Sequence, residues 1–252
     1  MSKVIALIVA VVAVIAVVFG IFSFKNKKEP EPAITTEQTE NAENTESGFV
    51  AGGWTIKEAA DITLPGDADA AFKKALNGLT GVNYKPIALL GTQVVAGRNY
   101  AVLCEATTVT PNPVSSLKVL IIYEALDGSV QITHVSDFNI GDYNNGTVDS
   151  AVSAVPTAGG WTVNQEAGIS WADESASKAF DDFNATLDSG VTLFPVAALG
   201  TQVVAGTNTA YLVRITDNSG NAAWRVAIVY TDLGGQSSVI AAAPLNIGDF
   251  NK

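Results

Sequence analysis

Cysteine is almost missing from this chain. Cys104 is the one example in 252 residues, so no disulfide can form within it. Its setting, "YAVLCEA", reads as a strand in which the thiol is a small buried apolar group. Histidine is equally scarce, with His134 alone. One Cys and one His exclude a zinc or haem site of ordinary type. Basic residues are few: 14 Lys and Arg stand against 25 Asp and Glu, a net charge of −11. Such a chain repels phosphate backbones, which argues against a nucleic-acid partner. There is no glycine-rich phosphate loop and no pairing of carboxylates on neighbouring strands. The residues therefore point away from an enzyme, from a cofactor or metal, and from a small-molecule substrate.

What is present begins with a long apolar run. Val4–Phe22 is 19 residues of apolar or glycine character without a charge. As a helix rising about 1.5 Å per residue it spans one hydrocarbon core. Residues 4–23 are expected to form a transmembrane anchor, since the apolar region of a signal peptide is usually shorter. A long cleaved signal peptide is the other reading. No Cys follows the run, which excludes a lipoprotein anchor. Lys3 precedes the run and Lys25, Lys27 and Lys28 follow it. That balance slightly favours a cytoplasmic bulk, but an anchor with so short a tail is commonly an export signal. The expectation is a membrane-anchored protein with its bulk extracytoplasmic, at the cell surface. Residues 24–50, containing "EPEPAITTEQTENAENTES", hold too little apolar surface to fold and read as an acidic, flexible stalk.

The rest is a duplication. "AGGWTIKEAADI" from Ala51 returns as "AGGWTVNQEAGI" from Ala158, and "GTQVVAGRN" ending at Asn99 returns as "GTQVVAGTN" ending at Asn208. "NIGDYN" and "NIGDFN" close the copies at Asn144 and Asn251. Residues 51–145 and 158–252 are two repeats joined by a linker, 146–157. The period is too long for a solenoid and marks duplicated domains. His134 has no counterpart in the second copy, which argues against a His-dependent catalytic set in each repeat.

Each copy follows one plan. A short strand follows Gly-Gly-Trp. A helix opens at Pro65-Gly66-Asp67 with Ala68, Phe72, Ala75, Leu76 and Leu79 as its stripe. The second helix, capped by Asp173 or Ser170, carries Ala176, Ala179, Phe180, Phe183 and Leu187. Four strands follow as an antiparallel meander, with turns at Ala96-Gly97, at Leu126-Asp127-Gly128 and at Leu233-Gly234-Gly235. "NIGD" reads as a strand end with a turn. The fold expected is α+β: two tandem domains, each one helix packed on a four- to five-stranded antiparallel sheet.

An early glycine, one helix, a strand, a "QVVAG" hairpin and a second tight hairpin together resemble the cystatin family of cysteine protease inhibitors. Asn99-Tyr100 after the first "QVVAG" matches that family's continuation. The resemblance spans residues 51–252, as pattern rather than identity outside the motif. It implies a three-part wedge that enters the active-site cleft of papain-like cysteine proteases. The trunk falls on Gly52, Gly53, Gly159 and Gly160. The first hairpin falls on Gln93, Val94, Val95, Ala96 and Gly97, and on Gln202, Val203, Val204, Ala205 and Gly206. The second hairpin departs from the family: Leu126 and Leu233 stand where cystatins usually carry Pro-Trp. With Thr209 in place of Tyr100, the first copy is expected to bind more tightly. The implied function is a membrane-tethered inhibitor of papain-like proteases. The alternative is a non-inhibitory cell-surface module that binds a protein or glycan, with "QVVAG" kept as a hairpin that folds well.

Overall fold

The computed structural model describes residues 53–56, 64–144, 159–165 and 174–252. The first repeat runs β1 (Trp54–Thr55), α1 (Gly66–Ala75), β2 (Val82–Val95), β3 (Gly97–Thr108), β4 (Ser115–Glu124) and β5 (Val130–Asp137). The second runs β6 (Trp161–Val163), α2 (Glu174–Asn184), β7 (Thr192–Val204), β8 (Gly206–Thr216), β9 (Ala222–Thr231) and β10 (Ser237–Leu245). Each repeat forms one five-stranded antiparallel sheet with its strands in chain order. The long strands β2 and β7 bend at register shifts after Pro86 and Pro195, which interrupt the ladder without a donor to lose.

One helix of ten or eleven residues cannot cover two faces of such a sheet, and the strands are apolar on both. β3 is buried without a break from Tyr100 to Ala106. Alternate side chains therefore need two separate covers. On one face Val102, Cys104, Leu120 and Ile122 pack under Ala68, Ala71 and Phe72 of α1. In the second repeat Tyr211, Val213, Ala227 and Val229 pack under Ala176, Ala179 and Phe180 of α2. The opposite faces meet each other. Leu90, Leu103, Val119 and Ile121 of the first sheet share one core with Leu199, Leu212, Val226 and Ile228 of the second. Trp54 and Trp161 pack against its margins. The result is a four-layer sandwich, helix, sheet, sheet, helix, and the described residues all fall within one compact unit.

This corrects the expected fold class. The described residues are dominated by antiparallel strand, with two short α-helices. The two repeats are halves of one sandwich with a core shared between their sheets, rather than tandem α+β domains. The apolar run 4–23 and the stalk lie outside the described residues, and among the described residues no helix is long and apolar enough to cross a membrane. The caps at Ser170 and Asp173 also lie outside them. Leu79 is exposed because α1 ends at Ala75, before its stripe is complete.

The "NIGD" segments hold the sandwich together. Each forms a single 3-10 turn, Ile140–Tyr143 and Ile247–Phe250. Each turn inserts its buried isoleucine against the other repeat. Ile247 Cδ1 lies 2.9 Å from where a Cβ on Gly91 would stand, and Ile140 Cδ1 lies 2.9 Å from the same point on Gly200. Phe138 stacks on Phe250 with centroids 6.0 Å apart, and Trp224 Nε1 donates to Leu90 O at 2.5 Å.

Cys104 is fully buried under α1, and that burial pushes its thiol well above the usual range. It is expected to resist a disulfide thiol reagent at pH 8 in the native protein and to react fully in guanidinium. Rapid native-state labelling would contradict this packing.

Candidate functional site

The "QVVAG" stretches end β2 and β7 at the tightest turns in the sheets. Val95 pairs with Gly97 across Ala96, and Val204 pairs with Gly206 across Ala205. Both glycines need their identity. Gly97 has φ 124° and Gly206 has φ 126°. A Cβ on Gly97 would stand 2.2 Å from Glu124 O, and one on Gly206 would stand 2.3 Å from Thr231 O. The same closeness brings the second hairpin alongside the first: Ala125 Cα and Asp232 Cα are each 3.2 Å from those points. A tyrosine locks each tip from below. Tyr123 Oη donates to Ala96 O, and Tyr230 Oη donates to Ala205 O.

The glutamines are structural. Gln93 Oε1 accepts from Asn99 Nδ2 at 2.7 Å, and Gln202 Oε1 accepts from Asn208 Nδ2 at 2.8 Å. Gln202 Nε2 also donates to Gly159 O, which ties the second trunk to its hairpin. The trunk strands run beside the motif, with Trp54 opposite Gln93 and Trp161 opposite Gln202. Changing Gln202 to Ala leaves Gly159 O and the Asn208 amide short of a partner. A loss of about 1–3 kcal/mol of stability is expected, read by denaturant unfolding.

Most of the predicted residues thus converge at two places. Gly53, Gln93, Val94, Val95, Ala96, Gly97 and Leu126 gather at one end of the first sheet. Gly159, Gly160, Gln202, Val203, Val204, Ala205, Gly206 and Leu233 gather at one end of the second. Gly52 lies outside the described residues. The valines and leucines at both ends face solvent: Leu126 is 87% exposed, Leu233 88% and Val203 72%. The two ends point in opposite directions. Gly91, just before the first tip, packs on Ile247, which follows the far end of β10. Gly200, just before the second tip, packs on Ile140, which follows the far end of β5.

Sequence reasoning missed the tyrosine lock, although "IIYEAL" and "IVYTDL" repeat the residue at a constant spacing. It also missed a charged cluster behind the first tip. Tyr100 Oη donates to Glu124 Oε2 at 2.7 Å, and Arg98 Nη1 lies 3.4 Å from Asp67 Oδ2. Burial, then the bond to Glu124, pushes the Tyr100 phenol up. Together with Leu126 these four line an open cleft of ≈450 Å³ between α1 and the tip. The second repeat has Thr207, Thr209 and Thr231 at the corresponding places, so its tip lacks these ionic braces.

Among the described residues no group of three His, Cys, Asp or Glu side chains is placed to hold a metal ion. The tips present apolar side chains on a stiff backbone, which suits contact rather than bond-making. No protein-family model matches the chain, and no curated protein matches it.

Proposed function

We propose that this protein docks peptidases at two ends. Each end blocks the active-site cleft of a papain-like cysteine peptidase with its trunk, its "QVVAG" turn and its second hairpin. The observation that supports this reading is the convergence of those three parts at each end, with uncharged side chains exposed on turns already held by tyrosine. Large exposed apolar groups in contiguous patches mark contact sites. A turn that is rigid before binding loses little conformational entropy on docking. Because the ends point apart, one chain accommodates two peptidases at once. Membrane attachment through residues 4–23, with the bulk held outside by the stalk, remains part of the proposal on the strength of the apolar run alone.

The test is inhibition of papain by residues 46–252, with one tip charged at a time. Val94→Asp with Leu126→Asp alters only exposed positions of the first end, and Val203→Asp with Leu233→Asp alters the second. Each pair is expected to weaken its own end at least about 100-fold, because the carboxylates must be buried without partners. The braced first end is expected to inhibit more strongly than the second.

A second reading has an observation in its favour. Gln93, Gln202, Gly97 and Gly206 each have a folding task, and Leu126 and Leu233 offer less anchor area than an aromatic ring. On that reading the ends bind a surface protein or glycan without inhibiting a peptidase. Absence of inhibition across papain and several relatives, with binding to another surface partner lost on charging the tips, selects it.

A further inference from the structure

The repeats differ most usefully under α2. In the first repeat, Lys118 of β4 sits opposite Asp137 of β5, and the two form an ion pair. In the second, Arg225 takes the place of the lysine and Pro244 the place of the aspartate. Arg225 keeps its charge and loses its partner. Its Nη1 donates to Ala242 O at 2.7 Å, its Nε is buried with no partner, and no acidic side chain among the described residues pairs with it. An unpaired, partly buried guanidinium is costly, and the cost falls when an anion arrives.

The surroundings say which anion. Arg225 borders a cavity of ≈370 Å³ between the C-terminal part of α2 and the outer face of its sheet. Phe183, Leu187, Leu193, Ile215 and Ala242 are among the apolar residues that line it. That size falls within the range of small-molecule sites, which are mostly apolar with a few polar anchors. The first repeat is built differently at these positions. Tyr84 stands for Leu193 and Val135 for Ala242, which are larger, and Ala75 stands for Phe183. Relative to the first repeat, the second has less bulk on the sheet side, an aromatic ring on the helix side, and a cation without its acidic partner.

We propose that this cavity binds a small amphiphile with a carboxylate head, of the medium-chain fatty-acid class. The carboxylate meets the Arg225 guanidinium, and the tail lies against Phe183, Leu187 and Leu193. This site is separate from the hairpin tips and does not depend on their function.

The test uses residues 46–252, the compact unit with its own core, and isothermal titration with decanoate below its micelle concentration. Decanol serves as the uncharged comparison. Saturable binding of one decanoate per chain is expected, tighter than decanol by at least about tenfold. Arg225→Gln is expected to remove that preference and leave decanol binding unchanged. Pro244→Asp, at an exposed position, restores the ion pair of the first repeat and is expected to have the same effect without shortening any core side chain. Ala242→Leu is expected to abolish binding of both ligands, while Lys118→Gln changes neither. No saturable binding of decanoate overturns the proposal. So does binding of decanoate and decanol alike that neither Arg225→Gln nor Pro244→Asp alters.

Discussion

Gly97→Ala is expected to lower the melting temperature by roughly 4–16 °C, and Gly206→Ala by a similar amount. The added methyl group meets two obstacles. At φ 124° an L-residue is strained, and the Cβ would sit 2.2 Å from a backbone oxygen that cannot swing aside. Strain of this kind costs about 1–3 kcal/mol. The displaced strand end brings the total to about 2–4 kcal/mol. For a unit of this size each kcal/mol is worth about 2–4 °C. Gly141→Ala is the control, since nothing lies within 4 Å of its Cβ position and its φ is ordinary. Equal melting temperatures for Gly97→Ala and Gly141→Ala would contradict the tip geometry. A charged side chain at Gly97 or Gly206 meets the same backbone oxygen and the same φ, so it is no test of binding. Such a variant loses its turn, and lost inhibition would report unfolding. Val94, Leu126, Val203 and Leu233 are the positions where contact can be tested alone.

Separating the repeats is expected to abolish monomeric folding of both. Residues 51–145 alone would expose Ile87, Leu90, Leu103, Val119 and Ile121, all of which are buried in the core shared with the second sheet. They would also lose Ile247, the plug that closes over Gly91. A half-chain is therefore expected to self-associate and to lack a cooperative unfolding transition, and mixing the two halves is expected to restore a one-to-one complex. A monomeric half with a sharp transition at low concentration would contradict the shared core. Within the intact chain, Trp224→Ala removes a buried ring together with the bond to Leu90 O. Its expected cost is about 3–5 kcal/mol. It follows that deleting one repeat does not compare the two ends, because the survivor loses a face of its core.

The local plan was legible because local signals carry it. Pro65 fixes the start of α1, and Ala68 and Phe72 land on the buried face at helical spacing. The duplicated Gly-Gly-Trp and "QVVAG" segments mark equivalent strands in both copies. The way the copies join was also written in the chain, but in a signal easily taken for ordinary strand composition. "YAVLCEA" and "WRVAIVY" are apolar at consecutive positions, and a sheet with one wet face does not need that. Ten or eleven residues of helix cover one side, so the second side had to find another sheet. "NIGD" carries no local sign of its role, because its partners Gly91 and Gly200 are distant in the chain, 156 residues from Ile247 and 60 from Ile140. The tyrosine lock was hidden for a related reason: Tyr123 and Tyr230 act on carbonyls of a neighbouring hairpin, a contact that only the sheet register creates. The repetition of "TQVVAG" has a folding explanation in its glutamine and glycine. The exposed valines beside them are what that explanation leaves over.

Those valines, with Leu126 and Leu233, are therefore the positions at which docking is decided. Catalytically inactivated papain, its cleft left open, is titrated into residues 46–252 and the stoichiometry is read by native mass spectrometry. Two peptidases per chain are expected, falling to one with Val94→Asp and Leu126→Asp and to none when Val203→Asp and Leu233→Asp are added. No complex, or a complex that persists when both ends are charged, would contradict docking at the two ends.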